Sequence, residues 1–398
     1  MHTFPFVPLF IGMAVQTLVT MAAYSVPAAA PAIAADLDIA GENAGLFIAI
    51  VYGMGMFSAV LSPSLIRRYG AVRVSQCILI SAIAMIVMAA TGDTVWALAA
   101  AGFLLGSGYG ATAPTSSHLL MKRTAPQIRN LVFSIRQIGV PLGGVLGGLI
   151  VPPLVVAANW QTAIGVQLIP AVVVLIILQI LRKTYDADRN PDFVLNRAGL
   201  LGPLKLLITL PAIRLPALAA FFYAGTQLCF VAFTSVHLTS RADFSLVAAG
   251  QMLAAYQLSG VISRPIWGVI ADRICPARTM LGIMGFVMAA MAVCAGQFSS
   301  EWSFVAILLV VIVAGASASG YTGLAFAEFA RIGGDSGAAE ATGLGAFAQF
   351  VGVMLLPTGF SLLVSVSGYA LAYNCIAGMA SLAGAALLLL PENVRQTN

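Results

Sequence analysis

Apolar residues in this chain neither alternate nor mark a single helical face. They run unbroken for about 20 residues at a time, between short polar stretches, and each run is long enough to cross a bilayer as a helix. The runs fall near 6–28, 45–65, 74–91, 95–121, 131–156, 161–181, 215–238, 246–270, 279–298, 302–328, 341–365 and 369–390. The pattern predicts an all-α membrane protein with twelve transmembrane helices.

Composition agrees, because 60% of the 398 residues are hydrophobic and 8% charged. A soluble protein carries about 25% charge. The net charge of +5 is not a nucleic-acid footprint, since the basic residues gather on one side of the predicted spans. Arg67, Arg68, Arg73, Lys122, Arg123, Arg129, the group from Arg182 to Arg214, Arg273, Arg278, Arg331 and Arg395 share that side. Arg241 lies opposite, with Asp36, Asp38, Glu42, Asp93, Asp243 and Glu301. The positive-inside rule then places both termini in the cytoplasm. No Lys or Arg precedes the first apolar run, which reads as an uncleaved helix rather than a secretory signal. The five cysteines (77, 229, 275, 294 and 375) are scattered, mostly within spans, and support neither a disulfide framework nor a metal site.

The longest loop, 182–214, separates a six-helix bundle at 1–181 from a second at 215–398. Its stretch Gly199–Leu210 is amphipathic, either a surface-lying helix or a solvated loop. Offset by 205 residues, the second span aligns with the eighth: Ala44-Gly45 on Ala249-Gly250, Gly55 on Gly260, Ser58 on Ser263, Arg68 on Arg273 and Arg73 on Arg278. A similar shift lays Gly108-Tyr109 over Gly320-Tyr321. Repeated halves are a transporter hallmark.

The eighth span ends Gly268-Val-Ile-Ala-Asp272-Arg273-Ile-Cys-Pro-Ala-Arg278. This resembles the Gly-x-x-x-Asp-Arg-x-Gly-Arg-Arg loop signature of the major facilitator superfamily, which recurs after spans two and eight. The first copy, Pro63-Ser-Leu-Ile-Arg67-Arg68-Tyr69-Gly70, keeps the arginine and the later glycine but has Arg67 in place of the aspartate. The resemblance implies two six-helix bundles around a cavity open alternately to either side, lined by spans one, four, seven and ten. It also implies that Asp272, Arg273 and Arg68 belong to cytoplasmic latches, Asp272 pairing with a basic residue or a helix end.

Two arginines sit inside apolar spans, where a permanently charged guanidinium costs at least ~2.5 kcal/mol. Arg264, in Ser263-Arg264-Pro265, resembles the arginine of monocarboxylate porters and oxalate exchangers that binds the substrate carboxylate. Its planar fork of donors matches such a group. Arg136, in Phe133-Ser-Ile-Arg136-Gln137, falls at a similar depth, roughly 9 Å to the cytoplasmic side of mid-span by helical rise. Two like charges at one depth repel unless an anion sits between them. An anion bridging Arg136 and Arg264 is therefore the expectation; the competing readings are a snorkelling Arg264 and an Arg136 that only starts its helix. The following glycines (139, 143, 144, 147 and 148) read as a helix-packing surface, although Val140-Pro141-Leu-Gly143-Gly144 also resembles a drug-antiporter signature.

Gln137, Tyr24, Tyr109, Tyr223, Gln227, Tyr256 and Tyr321 are further substrate-binding candidates, with Gln16, Tyr52, Thr112, Gln257 and Gln349 as additional polar positions within spans. No acidic residue lies mid-span, which disfavours a cationic-drug site. His118 and Glu328, toward cytoplasmic ends, are the candidates for proton coupling. No metal cluster, nucleophile–base set or phosphate loop is present, so no enzyme activity and no cofactor is expected. The sequence thus reads as a monomeric secondary transporter of a small organic anion, a carboxylate, in a bacterial inner membrane. The alternative is a proton-coupled exporter of neutral or hydrophobic compounds.

Overall fold

The structure, a computed structural model, describes residues 4–38 and 43–390; Glu42 and Arg395, counted above among the flanking charges, lie outside them. Every regular element among the described residues is helical. Nine helical stretches are long and apolar enough to cross a membrane: Phe6–Ala28, Leu46–Tyr69, Ala71–Thr91, Val95–Met121, Pro126–Ala157, Trp160–Tyr185, Pro211–Arg241, Ala277–Gly296 and Phe304–Leu389. The eighth span is Leu246–Arg273, equally long but more polar because it carries Gln251, Gln257, Arg264, Asp272 and Arg273. Phe304–Leu389 covers 86 residues, about 130 Å if straight, and so holds the tenth, eleventh and twelfth spans in one helical run. Gly334 (φ 64°) and Gly368 (φ 80°) supply its bends. Only glycine takes such angles without strain, and both fall between predicted spans.

By its contacts the chain divides into two compact units. One comprises Met1–Thr124, Arg136–Leu206 and Gly333–Phe347. Within it the first span packs along the fifth, the second and third flank the fourth, and the sixth lies on the third. A Cβ at Gly143 would come 2.4 Å from the Thr17 carbonyl oxygen, and one at Gly139 2.9 Å from that of Met13, whereas Gly144 and Gly148 face open space. The glycine run is therefore a contact surface on one side only. Gly143→Val should cost about 1–3 kcal/mol by overpacking, while Gly144→Val should melt like the wild type; paired melting curves check both.

The third span starts at Gly70, whose backbone (φ 95°, ψ 155°) is one that essentially only glycine adopts. Beside it the Asp186 carboxylate accepts from the N–H groups of Val72 (2.7 Å) and Arg73 (2.9 Å), capping the helix with a negative charge. The segment after Asp186 continues into two short helices, Arg197–Leu200 and Gly202–Thr209, where the amphipathic stretch was expected.

The other unit comprises Ala125–Ile135, Leu207–Ile332 and Ala348–Asn398. Its core gathers Tyr223, Phe230, Met284, Met288, Tyr321 and Tyr373. The seventh and tenth spans both pack on the eighth. The tenth is not a regular α-helix: Gly315–Ser319 forms a π turn followed by a break at Gly320-Tyr321. The fourth span breaks likewise at Gly110-Ala111.

These breaks correct the repeat register. Ser58 donates to the Gly106 carbonyl and accepts from the Gly110 N–H (both 3.0 Å), while Ser263 donates to the Ala316 carbonyl (3.1 Å). Gly106 therefore corresponds to Ala316 and Gly110 to Gly320, so Tyr321 answers to Ala111 rather than to Tyr109. Turn geometry fixes the alignment where a two-residue match in apolar sequence could not.

Candidate functional site

Arg264 is 1% exposed and ranks among the largest fully buried side chains. The π turn explains how a guanidinium is held there. A π turn displaces carbonyls from their usual helical partners, and three groups of the eighth span donate to those of the tenth. Ser263 and Trp267 (2.7 Å) reach the Ala316 oxygen. Arg264 reaches the Ser319 oxygen through Nε (3.2 Å) and Nη2 (3.0 Å), and the Ser319 hydroxyl (3.3 Å). Gly315 and Gly260 permit the approach, since a Cβ on them would lie 2.2 Å from the Tyr256 carbonyl oxygen and 2.5 Å from Ser319 Oγ.

Aromatic rings complete the surroundings of Arg264. Tyr256 and Tyr321 lie within its electrostatic reach. Tyr223 meets Tyr321 edge-on at 5.4 Å and donates its hydroxyl to the Leu281 carbonyl (3.0 Å). The Tyr256 hydroxyl points at the Gln227 backbone oxygen (3.5 Å), so Gln227 enters through its carbonyl. The buried Tyr321 hydroxyl finds no hydrogen-bond partner, an exception for a buried polar group.

Arg136, in the other unit, is 3% exposed. It donates to Gln137 Oε1, to Gln16 Oε1 (3.0 Å) and to the Thr112 carbonyl (2.7 Å), while its Nε has no partner. All these acceptors are neutral, and no carboxylate pairs with Arg136 among the described residues. Gln16 hands the chain on to Thr20 (3.0 Å), whose hydroxyl lies 3.5 Å from that of Tyr109. Tyr52 stands edge-on to Tyr109 at 5.9 Å, with Tyr24 in hydrogen-bonding contact with Tyr52. Arg136, Gln137, Tyr109 and Tyr24 are thus one polar network, and Arg264, Tyr223, Tyr256 and Tyr321 another.

The latch candidates divide. Asp272 accepts from the N–H groups of Asn130 (3.0 Å) and Leu131 (2.9 Å) and from the Asn130 amide (2.9 Å), capping the helix Arg129–Gln137 that carries Arg136 on its last turn. Asp272→Ala should destabilise by about 1–2 kcal/mol, in the range of a lost N-cap, and Asp272→Asn by less; denaturant titrations check the ranking. Arg273 is exposed. Arg68 donates to the Phe193 carbonyl (3.1 Å), and its neighbour Arg67 pairs with Glu340 (2.7 Å).

Both proton-coupling candidates are engaged. Glu328, 2% exposed, forms a two-pronged ion pair with Arg331, each contact 2.8 Å. His118 meets Asp188 at 2.9 Å, and Lys122 joins the same carboxylate. Hydrogen bonding from His118 holds the Asp188 carboxyl well below its ordinary range. Its stabilising contribution is therefore full above the ordinary carboxylate pKa of about 3.9 and fades as pH falls below that value. Asp188→Asn should remove part of the acid-side fall in melting temperature.

Sequence reasoning missed Ser319 and Thr20. Ser319 lay in the small-residue run Gly315–Gly320, which signals close packing without revealing a π turn.

A family model described as the Major Facilitator Superfamily matches residues 12–357. The 4-hydroxybenzoate transporter PcaK of Pseudomonas aeruginosa is 24% identical over 90% of this chain and 86% of its own length. A probable nitrate/nitrite transporter, NarK2 of Mycobacterium tuberculosis, is 31% identical over 35% of this chain and 36% of its own. Among solved structures, the proton:xylose symporter XylE superposes with a TM-score of 0.78 at 13% identity, covering 98% of this chain and 96% of XylE. The human organic anion transporter MFSD10 gives 0.68 at 16%, covering 97% and 100%. These likenesses establish the fold, and the family match across most of the chain establishes membership: this protein is an integral membrane transporter of the major facilitator superfamily.

Proposed function

We propose that the protein is a secondary transporter that moves a small organic anion, a carboxylate, by alternating access, with both termini in the cytoplasm of a bacterial cell. The observation that carries this reading is Arg136, a buried guanidinium satisfied only by neutral oxygens. A group that stays protonated at any working pH and has no carboxylate against it keeps its charge for a ligand. Arg264 supports the same reading from the second unit, with the Tyr321 hydroxyl left over as a further donor. The relatives add support, since 4-hydroxybenzoate and nitrate are both anions. In this reading Arg264 is the principal carboxylate ligand, and Arg136 a second ligand assisted by Gln137 and Tyr109. Asp272 holds the helix that presents Arg136.

The test is uptake into proteoliposomes. Labelled 4-hydroxybenzoate should enter, carboxylates should compete with it and neutral analogues should not, and Arg264→Ala should lower the rate by two orders of magnitude or so, within the range for losing one partner of a buried charge pair. Transport of neutral or hydrophobic compounds that survives Arg264→Ala and Arg136→Ala would replace this reading with a proton-coupled exporter.

A further inference from the structure

His237 lies near the end of the seventh span that bears Arg241, 2% exposed, and no anion site described above uses it. Its Nδ1 is buried without a hydrogen-bond partner. Its ring stacks on Tyr369 with centroids 4.0 Å apart and planes 9° from parallel. Tyr373 (5.8 Å) and Phe298 (6.2 Å) complete the enclosure. The Tyr373 hydroxyl is taken up by Thr234 at 3.3 Å. The ionisable groups facing the imidazole are therefore Tyr369 and Tyr373 from the twelfth span and Arg241 from its own helix; the 297–302 segment contributes the uncharged Phe298. Tyr369 directly follows Gly368, the left-handed glycine at the bend that opens the twelfth span.

We propose that His237 is a proton-binding site, and that its protonation reworks the contact between the seventh span and the Gly368 bend to make transport responsive to pH. Three features converge. An imidazole changes charge within the physiological range, as no other unperturbed side chain does. The open Nδ1 can accept a proton without breaking an existing bond. The flat Tyr369 face can hold either form, by stacking when the ring is neutral and by cation–π attraction when it is charged. A carboxylate would lock the charged form permanently; an aromatic face leaves both states accessible. Glu328 and His118, already paired, lack that freedom. This inference goes beyond the anion reading and holds whatever the anion.

The chain has three histidines, which makes the site directly observable. In protein carrying isotope-labelled histidine, reconstituted in nanodiscs without substrate, the imidazole resonance that disappears in His237→Phe should titrate between pH 4 and 9 in the wild type. Tyr369→Leu should weaken proton affinity roughly five-fold, the loss of about 1 kcal/mol of cation–π attraction. His237→Gln supplies the assignment should the phenylalanine variant fail to fold. A His237 resonance unchanged from pH 4 to 9, or a midpoint indifferent to Tyr369→Leu, overturns the proposal. In proteoliposomes, an inward proton gradient should accelerate 4-hydroxybenzoate uptake by the wild type and not by His237→Phe; acceleration retained in that variant also overturns it. Should the wild type take up no 4-hydroxybenzoate, that result counts against the anion reading, and the substrate-free titration decides the fate of His237.

Discussion

Replacing Arg136 with methionine should abolish transport of organic anions while leaving the ligand-free protein no less stable than the wild type. The two halves of this expectation have separate causes. Losing one partner of a buried charge pair costs about 2–5 kcal/mol, so anion transport should fall at least thirty-fold or so. Stability should hold because a buried charge without a counter-charge is a liability to the fold, and a hydrophobic side chain of similar volume removes the desolvation cost. The acceptors left behind are not stranded. The Thr112 carbonyl still accepts from the Ser116 hydroxyl (2.8 Å), and the Gln16 amide still donates to Thr20. Arg136→Lys should fall between, keeping the charge and losing the fork. Uptake assays beside melting curves check the pair of effects. A methionine variant that melts much lower yet transports normally would make Arg136 a structural residue.

Gly70→Ala should be the most damaging small substitution in the first unit, costing about 3 kcal/mol or more. Its backbone lies where other residues pay roughly 1–3 kcal/mol of strain. An added Cβ would sit 2.2 Å from the Asp186 carboxyl carbon, so the carboxylate must leave the Val72 and Arg73 N–H groups. Hydrogen bonds to a charged acceptor contribute about 1.5–3 kcal/mol. The double variant Gly70→Ala with Asp186→Gly removes the collision, so the alanine should then cost only the backbone strain. A measurable coupling between the two sites in a mutant cycle is the expected result. The geometry also explains why the first copy of the loop signature keeps its glycine while losing its aspartate. The glycine makes room for Asp186, a carboxylate supplied from elsewhere in the chain.

Much of the architecture was legible because membrane spans are read from length and polarity alone. The same reasoning placed Arg136 and Arg264, since a guanidinium in an apolar run is conspicuous wherever its partners lie. What stayed hidden depends on geometry that apolar sequence does not encode. The register of the repeat came out wrong at Tyr109 and Tyr321 because glycine–tyrosine pairs recur by chance, and only the helix breaks at Gly110 and Gly320 set the correspondence. Ser319 was passed over because a small-residue run predicts close packing and says nothing of a π turn whose carbonyls accept a guanidinium. Asp186 looked like one charge in a polar linker, and its capping role appears only with Gly70 beside it. His237 gave no signal, because a histidine near a span end is usually interfacial, and the stack on Tyr369 joins residues far apart in sequence.

The central claim is that buried arginines bind an anion, and ligand-induced thermal stabilisation of the purified protein tests it most directly. A ligand that binds the native state raises the melting temperature by mass action. The panel would hold mono- and dicarboxylates, aromatic carboxylates, nitrate, neutral analogues and lipophilic cations. Stabilisation should come from one family of anions and vanish in both Arg264→Ala and Arg136→Ala. Stabilisation by neutral or cationic compounds that persists in both variants would contradict the account.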